Sequence, residues 1–440
     1  MRDLVLGAIL LGLICYAFVH PWVGALTWTW ISIMNPHSYS WTLNSMPIAA
    51  AVAISTLIGV LVTKDKKEFF LTRETAVLVL FMFWVTLTLP FGFNVEYSIV
   101  PWKTIIKIDF MILVALIVLH TRQHIIGLAW VLAGSIGFYG FKGGLFTLAT
   151  GGSYRVWGPD GSFIEGNNEI ALALVIVIPL FRFLQMNVKG RLLKHVLTVV
   201  MILCAVAALG SQSRGALLAI AAMGAVMWWR SDNKAVLGVL FAVMGVALIG
   251  FMPDSWMNRM ETIGDYQEDG SAMGRINAWQ MAWNLASHNF FGGSFGIYNL
   301  DVFSRYAPVP TDVHAAHSIY FQVLGEQGFI GLFIFLTLWG FVWGSAGRMR
   351  KQGLKQPQTR WVSDLGSMCQ VSLAGYAVGG AFLSLAYFDL PYNILILVVA
   401  STRWLDQKQW VVEEAEEAKK LANDGGKKKR RSWFFGKPAR

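Results

Sequence analysis

Long apolar runs alternate with short polar segments along the whole chain, and this alternation predicts membrane-spanning helices. A helix needs about 20 mostly apolar residues to cross a hydrocarbon layer about 30 Å thick, and lipid offers no partner for free backbone groups. We therefore expect an all-α fold, a polytopic integral membrane protein with about twelve transmembrane helices. The predicted spans are residues 4–34, 46–63, 75–91, 103–119, 125–148, 167–185, 195–210, 215–229, 235–251, 317–345, 366–387 and 391–405.

The first run, residues 4–34, is too long for one straight helix, and His20-Pro21 interrupts it. It forms either one kinked crossing or two short ones. Lys and Arg concentrate in the cytoplasmic loops of membrane proteins. If all basic clusters are cytoplasmic, the spans alternate only when residues 4–34 cross once, which predicts two cytoplasmic termini. These clusters lie within 64–73, 189–194, 230–234, 348–360 and 427–431.

Composition agrees with a membrane protein and changes the interpretation of the net charge. Only 14% of the residues are charged and 55% are hydrophobic, whereas about 25% are charged in soluble proteins. The net charge of +10 is spread over short loops and the tail, so it indicates membrane topology and not nucleic-acid binding. Cys15, Cys204 and Cys369 lie in apolar segments and have neither metal-binding spacing nor an obvious disulfide partner.

The chain divides into four parts. Residues 1–251 carry the first nine spans, 252–316 form a long periplasmic loop with amphipathic helices, 317–405 carry the last three spans, and 406–440 form a cytoplasmic basic tail. Within the loop, 272–286 predicts an amphipathic helix with Trp279 and Trp283 four residues apart. A loop this long is usually functional or disordered, and its Trp, Phe and Gly content favours order.

Two arginines lie on the outer face, where positive charge is unexpected. Arg214 occupies a short turn between two apolar spans, and Arg275 lies near the start of the amphipathic helix. An arginine at a membrane surface can simply snorkel to lipid headgroups. Alternatively, its guanidinium can bind a phosphate through two parallel hydrogen bonds.

His314 and His317 are three residues apart and would share one face of a helix. A zinc site is disfavoured because no carboxylate has a clear ligand spacing beside them. A histidine at a helix entrance can be purely structural, but its pKa near working pH also suits a general base.

The sequence around these residues resembles that of bacterial O-antigen ligases. His317-Ser318 is followed by nine residues, then Gly328, two more residues and Gly331, which is similar to the histidine–glycine signature of that family. Two further landmarks of that family have similar sequences in this chain, at Ser213-Arg214-Gly215 and at Gly274-Arg275 with Trp279. The N-terminal half is similar to putative O-glycosylation ligases of exopolysaccharide systems, at Met34-Asn35-Pro36-His37 and Gly166-Asn167-Asn168-Glu169.

The resemblance implies a GT-C-type glycosyltransferase of the bacterial inner membrane with its active site facing the periplasm. Its donor would be a glycan on undecaprenyl pyrophosphate, and its acceptor a sugar hydroxyl of lipid A–core oligosaccharide. Neither a cofactor nor a metal is implied, and the partners beyond these substrates are membrane lipids.

The resemblance also implies roles for single residues. His317 would be the general base of an inverting transfer, and Arg214 and Arg275 would bind and stabilise the pyrophosphate. Further substrate-binding candidates are His314, Gln212, Arg155 and Tyr320.

Two other classes of function stay open at this point. A polymerase or a protein O-oligosaccharyltransferase would use the same lipid-linked donor with another acceptor, and the sequence does not choose between acceptors. A transporter or flippase is less favoured, because it would place its ionisable residues near mid-membrane and the candidate residues lie at one surface. A noncatalytic scaffold gives no reason for two arginines and a histidine on the same side.

Overall fold

A computed structural model describes residues 2–65, 67, 68, 71–230, 233–254, 256 and 270–415, and the regular elements in these residues are helices. Three short 3-10 turns lie at Pro36–Tyr39, Leu89–Phe91 and Pro357–Thr359. The α-helices are α1 (Arg2–Val19), α2 (Pro21–Met34), α3 (Ile48–Val62), α4 (Arg73–Thr88), α5 (Val95–Val118), α6 (Arg122–Ala149), α7 (Asn167–Asn187), α8 (Arg191–Gly210), α9 (Arg214–Arg230), α10 (Lys234–Phe251), α11 (Gly270–His288), α12 (Leu300–Tyr306), α13 (Ile319–Gly353), α14 (Arg360–Gly380) and α15 (Asp389–Asp406).

Length and apolar composition make six of the described helices capable of crossing a membrane. They are α1, α4 with the turn that follows it, α6, α7, α8 and α13. The α3 helix and residues 234–247 are apolar but shorter. The all-α membrane fold is therefore confirmed, whereas twelve crossings and the GT-C architecture stay predictions.

The helix ends gather at two opposite ends of the bundle, which we name the basic end and the loop end. The basic end contains the described residues within 62–72, together with 118–122, 187–191, 353–360 and 406–415, next to most of the basic clusters. There the buried Arg403 donates to the carbonyls of Leu116 (2.9 Å) and Leu119 (2.5 Å). Since the last carbonyls of a helix have no partner within it, Arg403 satisfies the end of α5.

The loop end contains the long connections 35–47, 150–166, 289–318 and 381–388. Side chains join the helix ends there: Ser32 of α2 donates to Asp389 at the start of α15 (2.5 Å), and Asn167 at the start of α7 donates to the carbonyl of Ser211 after α8 (2.8 Å). The predicted periplasmic loop is described for 252–254, 256 and 270–316, and the predicted tail only as far as residue 415.

The structure contradicts the expected single crossing of residues 4–34. Asp3 accepts hydrogen bonds from the backbone and hydroxyl of Thr42 at the loop end, whereas His20 lies 3.9 Å from Asp65 at the basic end. Helices α1 and α2 thus form an antiparallel hairpin, and α3 packs along both. Asp3 and Glu413 therefore lie at opposite ends of the bundle, whereas the orientation of the two termini stays a prediction.

Local sequence explains the hairpin. Pro21 is the first residue of α2, where its missing N–H costs no helical hydrogen bond and its fixed φ suits the helix. Glycines then let the three helices approach closely, since a Cβ on Gly59 would lie 2.5 Å from the carbonyl oxygen of Ala17. The basic clusters could not reveal this turn, because the reversal at His20 carries no Lys or Arg.

The hairpin predicts which positions share one side of the membrane. In a chain whose three cysteines are replaced by Ala, Asp3→Cys and Thr42→Cys should react with an impermeant maleimide from the same side. Asp65→Cys should react from the other side, because it lies with His20 at the basic end. Labelling of Asp3→Cys and Asp65→Cys from the same side of the membrane would contradict the hairpin and support a single crossing of residues 4–34.

Candidate active site

The amphipathic helix predicted at 272–286 is α11, and it holds the extended segment that precedes α13. The Asn277 amide donates to the carbonyls of Val309 and Asp312, each at 2.9 Å. Its oxygen accepts from the backbone N–H of Val309, also at 2.9 Å. A buried side-chain amide is therefore fully used in fixing this segment against α11.

A tryptophan of α11 fixes the residue before His317. The Trp279 indole N–H donates to the carbonyl of Ala316 at 2.6 Å. Its ring stacks on Phe321 with 5.1 Å between the centroids. The spacing of Arg275 and Trp279 in the family landmark thus has a structural reason, because one turn of α11 separates the arginine from the residue that positions the histidine segment.

His317 has a left-handed backbone, with φ at 43°, immediately before the start of α13. Its backbone N–H donates to the Ser384 hydroxyl at 3.0 Å, and among the described residues its buried ring Nδ1 has no hydrogen-bond partner. Burial lowers the pKa of His317 to about 4, and the charges of Arg275 and His314 act in the same direction. The imidazole is consequently neutral at neutral pH and has an acceptor nitrogen available.

His314 lies on the exposed side of His317. Its Nδ1 is 2.7 Å from Asp312, and its ring covers Gly274, where a Cβ would come within 2.6 Å of it. Within the residues that the structure describes, no group of three or more His, Cys, Asp or Glu side chains could hold a metal ion. The Asp312 carboxylate can therefore orient the His314 imidazole.

Arg275 connects the histidines to α7. It is half-buried, and its charge interacts with Glu169 and with His317. Glu169 belongs to the first turn of α7, where the helix dipole favours an acidic side chain. Sequence reasoning did not assign a role to Glu169, although an acidic residue opening a long apolar helix was a usable signal.

The turn that precedes α9 forms a second group of candidate residues. Gln212 has φ at 56°, and its amide donates to the carbonyl of Gly152 at 3.2 Å. The Arg155 side chain approaches the Gln212 oxygen at 3.4 Å. The turn is thereby fastened to the connection between α6 and α7.

Arg214 begins α9 within this second group. A Cβ on the neighbouring Gly215 would lie 3.3 Å from Phe382, two residues before the Ser384 that holds His317. The backbones at Arg214 and His317 therefore border the same connection between α14 and α15. The Tyr320 hydroxyl instead donates to the carbonyl of Ala377 at 2.8 Å, so it is engaged with α14.

The structure thus places Arg275, His314 and His317 in one interacting cluster, and Gln212 with Arg155 in another. Arg214 starts the helix next to the connection that both clusters approach. The chemical roles of all these residues stay predictions.

The signature glycine Gly328 breaks α13, with φ at 69° and ψ at −176°. The connection after α11 fills the break, since the N–H groups of Gly293 and Ser294 donate to the carbonyls of Gly325 (2.9 Å) and Glu326 (2.8 Å). These carbonyls have lost their helical donors, and lipid could not replace them. The glycine therefore lets the connection after α11 pack into the break in α13, the helix that begins just after His317.

A buried carboxyl lies at this break. Glu326 is 3% exposed, and it interacts with the side chains of Tyr387 and Gln322. Sequence reasoning did not single it out, although it is the one acidic residue of the apolar run 317–345. Intramembrane acidic residues usually have a partner or a function.

Taken together, the geometry defines a multi-pass membrane protein with a histidine–arginine cluster at one end of its helix bundle. Residues 199–336 match the family model described as O-antigen ligase. This segment contains Arg214, Arg275, His317 and Gly328, so the match supports the O-antigen ligase family that the resemblance predicted. Residues 1–189 match a family of unknown function (DUF5935). No curated protein matches the chain.

The break at Gly328 predicts a large cost for adding a single methyl group. Gly328→Ala should lower the melting temperature in detergent, because this backbone conformation costs other residues about 1–3 kcal/mol. In addition, the new Cβ would lie 2.5 Å from the carbonyl oxygen of Phe290. Gly340→Ala on the same helix is the matched control, since nothing lies within 4 Å of its Cβ. Equal melting temperatures for the two variants would contradict the structural role of Gly328.

Proposed function

We propose that the protein is a glycosyltransferase that moves an O-antigen glycan from undecaprenyl pyrophosphate to a sugar hydroxyl of lipid A–core oligosaccharide. The observation that carries the proposal is the Arg275–His317 cluster within the segment that matches the O-antigen ligase family. The family supports ligase or polymerase chemistry, and the donor, the acceptor and the mechanism are parts of the proposal.

The proposed reaction is a direct displacement at the anomeric carbon. The acceptor oxygen forms a bond to that carbon while the bond from the carbon to the pyrophosphate oxygen breaks, which inverts the configuration. The hydroxyl proton passes to His317, and undecaprenyl pyrophosphate leaves. General-base assistance of this kind is typically worth about 10²–10⁴-fold in rate.

Negative charge grows on the pyrophosphate oxygen as this bond breaks. Arg275, and Arg214 from the start of α9, would stabilise that charge, and two guanidinium groups can do so without a metal. Fixed cations in a poorly hydrated site act more strongly than they would in water. The charges of Glu169 and Arg275 attract each other, which would help to keep Arg275 near the site before the donor binds.

Donor binding would also activate the base. In the free protein the positive charge of Arg275 opposes protonation of His317. A bound pyrophosphate brings negative charge to Arg275, so it offsets this repulsion and raises the pKa of His317. His317 would therefore become an effective proton acceptor only when the donor is in place.

The proposed orientation puts the loop end in the periplasm and the basic end in the cytoplasm. It follows from the excess of Lys and Arg near the basic end and from the rule that such residues stay cytoplasmic. The cluster would then meet the lipid-linked donor at the outer surface of the inner membrane.

The function is tested by reconstituting purified protein with an undecaprenyl-pyrophosphate glycan and lipid A–core, without metal or nucleotide. We expect transfer by the wild type and a loss of about 10²-fold or more in His317→Ala. The control is His288→Ala, since His288 is exposed at the end of α11 and contacts its own helix.

Other outcomes of this assay separate the alternatives. Extension of the donor glycan would indicate a polymerase, and modification of an added protein would indicate a protein O-oligosaccharyltransferase. Either product would show that the proposed acceptor is wrong, and the proposed donor would be unchanged. Full activity of His317→Ala would contradict the general-base role.

The low pKa of His317 predicts the acidic limb of the rate profile. The neutral imidazole is the active base, and it is lost as pH falls through its pKa, so kcat/KM should fall near pH 4 and not near the ordinary value of 6.5. The acidic limb of kcat should lie at higher pH than the acidic limb of kcat/KM. The reason is that kcat reports the pKa of His317 in the donor complex, where the bound pyrophosphate raises that pKa. Arg275→Gln should shift the acidic limb of kcat/KM to higher pH, because it removes a positive charge that lowers the pKa of His317, whereas Arg275→Lys should not shift it. An unchanged limb in Arg275→Gln would contradict the interaction between Arg275 and His317.

A further inference from the structure

A basic groove of about 660 Å³ lies at the basic end, far from the candidate active site, between α13 and α14. The described residues that line it include no acidic side chain. Four of them are cations, namely Arg348, Arg350, Lys351 and Lys355, and the others include Gln370 and Trp343.

A further arginine adds to the positive charge of this basic groove. The Arg230 guanidinium lies 5.6 Å from the centroid of Trp343 and close enough to Arg350 for their charges to repel. Its Nη1 is buried without a hydrogen-bond partner among the described residues. The nearby Glu74 is engaged by Arg73 at 3.0 Å and by Ser345 at 2.5 Å. Fixed like charges are unfavourable unless an anion lies between them.

A buried amide at the groove also lacks one partner. Gln370 is 4% exposed and donates to the carbonyl of Trp343 at 2.9 Å. Its oxygen has no donor within the described part of the chain. Buried polar atoms are nearly always hydrogen-bonded, so this oxygen calls for a donor from a ligand or from water. The groove therefore presents several donors for an anion and one acceptor for a hydroxyl.

We propose that this basic groove binds an anionic phospholipid whose headgroup carries a hydroxyl, of the phosphatidylglycerol class. Arginine side chains bind phosphate through charge-assisted hydrogen bonds, and the free oxygen of Gln370 accepts from the headgroup hydroxyl. Tryptophan is favoured at the level of the headgroups, where the last turns of α13 lie. Basic pockets between membrane helices are suited to such lipids. The site is independent of the proposed glycosyl transfer.

The test is binding of soluble dioctanoyl phosphatidylglycerol to the full chain in neutral detergent, followed by microscale thermophoresis. Removing two charges with Arg350→Gln and Lys351→Gln should weaken binding by roughly 30-fold, since each cation near an anionic lipid contributes about a factor of five. Dioctanoyl phosphatidylcholine and inorganic phosphate should bind far more weakly than phosphatidylglycerol.

The matched control removes two charges elsewhere at the same end. Lys189 and Arg191 are exposed where α8 begins and do not line the groove. Lys189→Gln with Arg191→Gln should leave binding close to that of the wild type. Equal weakening by both pairs would show that only general positive charge matters, and inorganic phosphate binding as tightly as the lipid would show a free-anion site. Either result overturns the proposal.

Discussion

The break of α13 at Gly328 is the constraint on which the loop end depends. A helix interrupted within a membrane frees carbonyl groups that lipid cannot satisfy, so other parts of the protein have to supply donors. Gly293, Ser294 and the Trp84 indole provide them, the last through a 2.9 Å bond to the carbonyl of Gln327. The connection after α11 is consequently tied to the membrane helix that begins beside His317. A mobile connection after α11 would not meet this requirement.

This docking gives the candidate site its rigidity from two directions. From outside, Asn277 and Trp279 of α11 hold the backbone on either side of His314. From the membrane side, Ser384 holds the N–H of His317. Catalytic groups act best when their supports keep them in place before the substrate arrives. The left-handed backbone of His317 is a local cost that this double support can sustain.

Much of the fold followed from the sequence, because lipid restricts the choice of structure severely. Apolar length predicted α7 and α8 closely, whereas the signature around His317 included Gly328 but did not predict that α13 breaks there. The interruption at His20-Pro21 was predicted, but the basic clusters then favoured one crossing, because the reversal itself carries no Lys or Arg. Glu169 and Arg275 are more than a hundred residues apart, and only tertiary packing brings them together. Their interaction was therefore beyond any local pattern.

The two ends of the bundle handle positive charge differently, and the difference bears on how each would bind an anion. At the loop end, Arg275 has a carboxylate partner in Glu169, so a pyrophosphate must compete with that interaction. A ligand with several negative oxygens can do so, whereas a singly charged phosphodiester gains less. At the basic end, the described residues that line the groove include no acidic side chain, so a single phosphate would meet less competition there. The interaction of Arg275 with Glu169 would therefore disfavour an ordinary phospholipid relative to a pyrophosphate at the site where transfer is proposed.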